Sequence, residues 1–228
     1  MTKTFDKNNK QHKFFYRDLS IDLNYATNFL KEKYRLIANN QYPGVSLVSD
    51  SDIFSYTKSV STQKAREYNL FQFYSPFIYE LYSSVVDMVY EACDYYEVDF
   101  NKEQYVVSAW FNINKKSLQT KLDWHDHINP DFKVPAFHGY YCVNAEPSET
   151  LYKINENIYP NKNKNNRAIL SVVGYPHSMA DWNWEEERIT IAYDILPMRL
   201  MYEKEFTGQD KEMEFEQHFF PIPPRINK

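Results

Sequence analysis

The chain carries six histidines, and three of them are spaced as chemistry would need: His125 and His127 in Asp123-Trp124-His125-Asp126-His127, and His177 closing Gly174-Tyr175-Pro176-His177. Residues two apart in extended backbone leave the same face, so the near pair aims both rings one way. Arg188 then opens Arg188-Ile189-Thr190. Two near imidazoles, a distant third and a cation on an inward strand would let a β-barrel hold a transition-metal ion with an anion beside it. A metal that does chemistry needs a few nitrogen or oxygen ligands on one face, with the opposite positions open. Ferrous iron working on oxygen suits this set.

The position two after His125 is an imidazole rather than a carboxylate, which leaves two assignments. In one, His125, His127 and His177 form a three-histidine face. In the other, a bulge brings Asp126 in beside one of the near histidines. The two-residue period favours the first. A lone His-x-His is weak, because surface pairs arise by chance, and a lone His177 is more often structural. The ordered combination with Arg188 is what raises the metal reading.

Arg188 would be costly inside a barrel without an anion. A dicarboxylate co-substrate would supply one, gripped bidentately by the guanidinium, with the Thr190 hydroxyl on the same face. The plainer alternative is a salt bridge to Glu185, Glu186 or Glu187 just upstream. Asn112, Asn114 and Tyr140 could donate to the 2-oxo acid end, though packing or internal hydrogen bonding explains each equally well.

The bulk numbers narrow the class. A length of 228 residues fits one domain (1–228) with a substantial core. Four glycines are too few for a phosphate-cradling loop, and no G-x-G-x-x-G or P-loop occurs. A formal charge of -5 argues against general nucleic-acid binding. No apolar run reaches membrane-span length, and MTKTFDKNNKQHK has no apolar signal core. Cys93 and Cys142 make no disulfide framework, so a reducing cytoplasmic setting is expected, which also suits ferrous iron.

The elements that must position the site follow from periodicity. Residues 1–12 are polar and loose; Lys13 to Leu19 reads as a strand. Ser20 or Asp22 caps a helix to about Ala38. Tyr42-Pro43-Gly44 breaks it, and 45–70 is mixed and serine-rich. A second helix starts at Ser75-Pro76, with a core stripe from Phe77 to Ala92. From Tyr105 the period is two: Tyr105, Val107, Ala109, Phe111 and Ile113 share one face, and Val106, Ser108, Trp110, Asn112 and Asn114 the other. In 188–195, Ile189, Ile191, Tyr193 and Ile195 oppose Arg188, Thr190, Ala192 and Asp194. The apolar faces would take the helices, leaving the polar faces to line an interior.

Strands are also expected at 137–145, 150–154 and 168–175, the last apolar throughout. Asn161 to Arg167 reads as a solvated hairpin tip, and the end from Glu203, closing in FFPIPPR, as an extended strap. The expected architecture is mainly β with a helical buttress (α+β): a jelly-roll core at 105–196 packed on N-terminal helices in 13–100, with a C-terminal extension at 197–228.

At these residues the chain resembles the iron(II)/2-oxoglutarate-dependent oxygenases, most of all the small ones common in phage and bacterial genomes. It shares their order of motifs: Ala109-Trp110-Phe111-Asn112, His125-Asp126-His127, Gly139-Tyr140-Tyr141, Pro176-His177 and Arg188-Ile189-Thr190. The match covers roughly 105–196. His138 stands where those proteins usually have serine, Cys142 where they have the second tyrosine, and Asn165-Asn166 where a glycine precedes the buried strand.

The resemblance implies a double-stranded β-helix holding Fe(II) on His125, His127 and His177. It implies 2-oxoglutarate on Arg188 and Thr190, and use of O2 to oxidise a substrate C–H with release of succinate and CO2. Trp124, His138, Trp182 and Trp184 would shape the substrate side, where a small molecule or peptide binds; a homodimer is compatible. Two other classes compete: a cupin-like metal dioxygenase or isomerase without 2-oxoglutarate, and a non-catalytic jelly-roll module.

Overall fold

The computed structural model describes residues 11–38, 59–62, 69–114, 124–127, 134–180, 182, 184–199 and 219–225. The Tyr42-Pro43-Gly44 break, most of the 45–70 stretch and Asp123 lie outside the described residues. Strand β1 (Phe15–Asp18) leads into helix α1 (Leu23–Ala38). Asp22, not Ser20, caps it, its Oδ1 accepting the backbone N–H groups of Asn24 and Tyr25. After β2 (Ser59–Ser61) comes helix α2 (Pro76–Tyr96), with proline in its first turn. It buries Phe77, Ile78, Leu81, Val85, Met88, Val89 and Ala92, the stripe the sequence expects. Burying each of the side chains larger than Ala92 contributes about 1.5–3 kcal/mol.

The remaining strands are β3 (Tyr105–Asn114), β4 (Phe137–Asn144), β5 (Glu149–Ile154), β6 (Asn157–Lys162), β7 (Arg167–Val172), β8 (His177–Met179), β9 (Arg188–Pro197) and β10 (Phe220–Pro221). All the pairings are antiparallel. The larger sheet runs β1-β7-β4-β9-β3-β10, with β2 also on β3; the smaller runs β6-β5-β8. Tyr105, Val107, Ala109, Phe111 and Ile113 join Ile189, Ile191, Tyr193 and Ile195 in one buried cluster with the apolar faces of α1 and α2. The helices thus buttress one face of the larger sheet, and its polar face is free to meet the smaller one.

A close approach locks the middle of that sheet. A Cβ on Gly139 would collide with the Ile169 carbonyl oxygen and the Tyr193 ring. Tyr193 needs this space because its hydroxyl donates to that same carbonyl at 2.7 Å.

Three sequence expectations change. The strand expected over 168–175 ends at Val172, where the chain bends through Gly174 at φ 94° and crosses to the smaller sheet. The segment 157–162, not expected as a strand, pairs with β5 as an exposed edge that tolerates Pro160. The 161–167 stretch is not merely a solvated turn. Asn163 is 4% exposed, and Asn165 and Asn166 fasten the loop to the Ala145 N–H, the Tyr141 hydroxyl and Ile21. Asparagine amides act here as internal connectors, a role their polarity hides in the sequence.

The C-terminal strap is present over 219–225. Tyr82 and Tyr90 of α2 donate to the carbonyls of Pro221 and Pro223, and Arg225 pairs with Asp94. No described helix is long and apolar enough to cross a membrane.

Candidate metal centre

His125 and His177 meet through the backbone. Each N–H donates to the other's carbonyl, at 3.1 and 2.9 Å, an isolated antiparallel bridge that continues the smaller sheet past β8. Their rings stand 4.4 Å apart between centroids. His127, on the same side of the extended segment as His125, brings its Nε2 to 3.2 Å from the Nε2 of His177. The three potential ligand atoms all lie within 4.8 Å of one another, with His125 exposed, His127 half-buried and His177 buried.

The arrangement fits a metal ion. Two nitrogens each about 2.1 Å from one ion, at a right to tetrahedral angle, stand about 3.0–3.4 Å apart, and the observed 3.2 Å falls inside that range. Burial and the neighbouring imidazoles of His127 and His125 push His177 down to about 2, so its ring is neutral and keeps a lone pair. The site is closed at His177 and open at His125, leaving room for other ligands.

Asp126 is not a member. Its Oδ1 accepts the N–H of His127 at 2.8 Å and of Gly174 at 3.2 Å, so the carboxylate ties the histidine segment to the bend before β8. The bulge that would turn it toward the imidazoles is not formed.

The polar face of the larger sheet meets this cluster from the other side. Trp110 of β3 stacks on His127, with centroids 5.9 Å apart. His138 of β4 stacks on His127 and His177 at 5.1 and 4.6 Å. His138 is 2% exposed and its buried Nε2 has no hydrogen-bond partner among the described residues. Burial first, then the surrounding imidazoles, hold it well below the usual histidine range. Asp194 of β9 places Oδ1 2.7 Å from His127 Nδ1. Burial alone would lower His127; the carboxylates of Asp194 and Asp126 outweigh it and raise the imidazole above its ordinary value.

Arg188 lies at the other end of β9's polar face, 5% exposed. The salt bridge to the upstream glutamates is not formed: Glu187 pairs with Lys31, and Glu185 and Glu186 are exposed. Among the described residues its hydrogen-bond partner is Ser148, whose Oγ accepts from Nε at 3.1 Å. Burial holds the guanidinium below its usual range, and the neighbours favouring its charge are the Cys142 thiol and the Tyr140 phenol, neither a carboxylate.

Ser148 also accepts from Asn163 Nδ2 at 2.8 Å, and Asn163 Oδ1 accepts from the Tyr140 hydroxyl at 2.8 Å and from Thr150 at 3.3 Å. Tyr140 thus joins the Arg188 end of the site, its hydroxyl donating to Asn163 Oδ1. Thr190 is buried in register with Asn112 of β3 and Cys142 of β4, and Asn114 faces Arg188 across the ladder. Thr150 sits two residues along β5 from Tyr152, the register partner of His177, so the Arg188 network joins β5 about 7 Å along the strand from that position.

Trp124 and Trp184 are exposed; Trp182 is buried and donates to the Glu186 carbonyl. Asp194, Trp110, Ser148 and Asn163 are the site residues that sequence reasoning assigned no role. Asp194 and Trp110 carried a signal, Asp194 sharing the period-two face of Arg188 and Thr190 and Trp110 that of Asn112 and Asn114.

No protein-family model matches the sequence, and no curated protein is similar to it. Solved structures are. The non-haem monooxygenase ThoJ, as a nickel complex, aligns with a TM-score of 0.51 at 10% identity over 81% of this chain and 73% of that one. A prolyl-4-hydroxylase from Pseudomonas putida aligns at 0.48 and 11% identity, over 81% and 92%. HygX from Streptomyces hygroscopicus, with nickel, 2-oxoglutarate and hygromycin B bound, aligns at 0.47 and 10%, over 81% and 83%. The likeness to ThoJ shows that the two chains share a fold; in this one His125, His127 and His177 converge within it.

Proposed function

We propose that the chain is an Fe(II)- and 2-oxoglutarate-dependent dioxygenase that hydroxylates a C–H bond of a small molecule or peptide, releasing succinate and CO2. Its two sheets are read as a double-stranded β-helix, or jelly roll. The observation that carries the proposal is the pairing of a three-imidazole face with a buried arginine that has no carboxylate partner among the described residues.

In this reading His125, His127 and His177 hold the iron through neutral imidazoles. The chemistry the iron supplies when bound is activation of O2 coupled to oxidation of the 2-oxo acid. The chain's own contribution is binding and orientation. Arg188 takes the far carboxylate of 2-oxoglutarate, with the Thr190 hydroxyl beside it. Ser148 and Asn163 hold the guanidinium in place, and Asn112 and Tyr140 line the same face. Trp110 and His138 cover the imidazoles with rings and keep water from that side. Substrate enters past the exposed edge at His125 and Trp124.

The test is anaerobic addition of ferrous iron and then 2-oxoglutarate. A visible charge-transfer band should form only when both are present, and oxygen should then release succinate in step with 2-oxoglutarate loss. Arg188→Ala should abolish that coupling. A cupin-like enzyme would be indifferent to the substitution, and a non-catalytic module would show no band.

A further inference from the structure

A face made of three neutral imidazoles brings no negative charge to a divalent ion. The charge lies one layer further out. His127 Nδ1 stands 2.7 Å from Asp194 Oδ1, with the two side chains 10% and 16% exposed. That oxygen makes no regular hydrogen bond to any described residue, so the ion pair with His127 is its polar contact there. The position is set by register: Asp194 pairs with Ser108 on β3 and with His138 on β4, and so faces the smaller sheet with Arg188 and Thr190. Asp126 is placed differently: its Oδ1 accepts the backbone N–H groups of His127 and Gly174, not an imidazole N–H.

A neutral imidazole has one N–H and one lone pair, and which nitrogen carries which is decided by its partners. A carboxylate against Nδ1 keeps the proton there and leaves the lone pair on Nε2, the atom that meets His177 at 3.2 Å. We infer that Asp194 is a positioning residue of the metal centre. It fixes the tautomer and ring orientation of His127 and sets one negative charge behind an all-histidine ligand set. The inference rests on the metal reading above. It adds the residue that lets His127 serve where a carboxylate ligand would bring its own charge.

The test uses the full chain under anaerobic conditions with cobalt(II) alone, followed by calorimetry and by proton NMR of the loaded protein. The wild type should bind one cobalt(II) and show a hyperfine-shifted, slowly exchanging N–H from His127. Asp194→Ala should weaken binding by about 10- to 100-fold, the range for losing an outer partner of a ligating histidine, and should lose that resonance. Asp194→Asn has the same shape and can still accept the N–H but carries no charge. It should keep the resonance and bind with intermediate affinity, and it carries the test if the alanine variant does not fold.

Wild-type affinity in both variants, with the resonance kept in Asp194→Ala, would overturn the role of Asp194 and leave the metal site standing. Failure of the wild type to bind cobalt(II), or undiminished binding by His177→Ala, would overturn the metal reading and this inference with it.

Discussion

The Nε2 atoms of His127 and His177, fifty positions apart in the chain, face each other at 3.2 Å. Two neutral rings with lone pairs so close repel unless a proton or a metal ion lies between them. His177→Ala and His127→Ala should therefore each lower cobalt(II) or iron(II) affinity by more than about a hundredfold, beyond what losing an outer-shell partner does. Thermal scans should show the complementary effect, the wild type gaining stability with metal concentration and the variants gaining none. Equal metal-induced gains in all three proteins would contradict the site.

Arg188 has Ser148 as its partner and no carboxylate among the described residues. Charged hydrogen bonds of this kind contribute about 1.5–3 kcal/mol each. Arg188→Gln should weaken 2-oxoglutarate binding by roughly 10- to 150-fold, while cobalt(II) affinity stays within about twofold. Calorimetry on the cobalt-loaded protein measures both. Unchanged 2-oxoglutarate affinity would remove Arg188 from the co-substrate site.

Asn163 joins Ser148, Tyr140 and Thr150 in one buried network. Asn163→Ala would leave buried hydroxyls unsatisfied and should destabilise the protein by about 3 kcal/mol. For a chain of this length that lowers Tm by roughly 6 to 12 °C. A loss below about 0.5 kcal/mol in urea denaturation would mean the loop is as solvated as its composition suggests.

Acid should destabilise the metal-free protein. Burial lowers His12 to about 4 and His177 to about 2, and holds His138 well below its usual range. The unfolded chain binds protons on these groups below about pH 6.5, whereas the folded one does not. The unfolded state therefore gains protons first, and stability falls as pH drops from 6.5 toward 4. His127, raised by Asp194 and Asp126, becomes protonated in both states below about pH 6.5, so its stabilising share is complete there and does not oppose the fall. The slope from the three lowered groups is up to about 4 kcal/mol per pH unit. Urea midpoints between pH 7 and 4.5 check the sign, and a flat profile would show that these imidazoles are not buried neutral.

Much of the molecule is legible in the amino-acid sequence. The stripe from Phe77 to Ala92 announces a buttress helix, and the period of two in 105–114 and 188–195 assigns each side chain to a face. The His125 and His127 spacing aims two rings together. These are local matters, decided by backbone geometry over a few residues. The 161–167 loop misled because asparagine looks the same whether its amide meets water or a buried hydroxyl. The strand expected through Tyr175 overran because apolar composition continues past the bend at Gly174.

What the amino-acid order determined by itself was the type of each element and which residues share its faces. Only the tertiary structure decided that His177 lies beside His125, that Asp126 turns to the backbone, and that Asp194 stands behind His127. Those relations depend on strand register between segments dozens of residues apart. Register is set by the summed burial of both sheets, not by any neighbour in the chain.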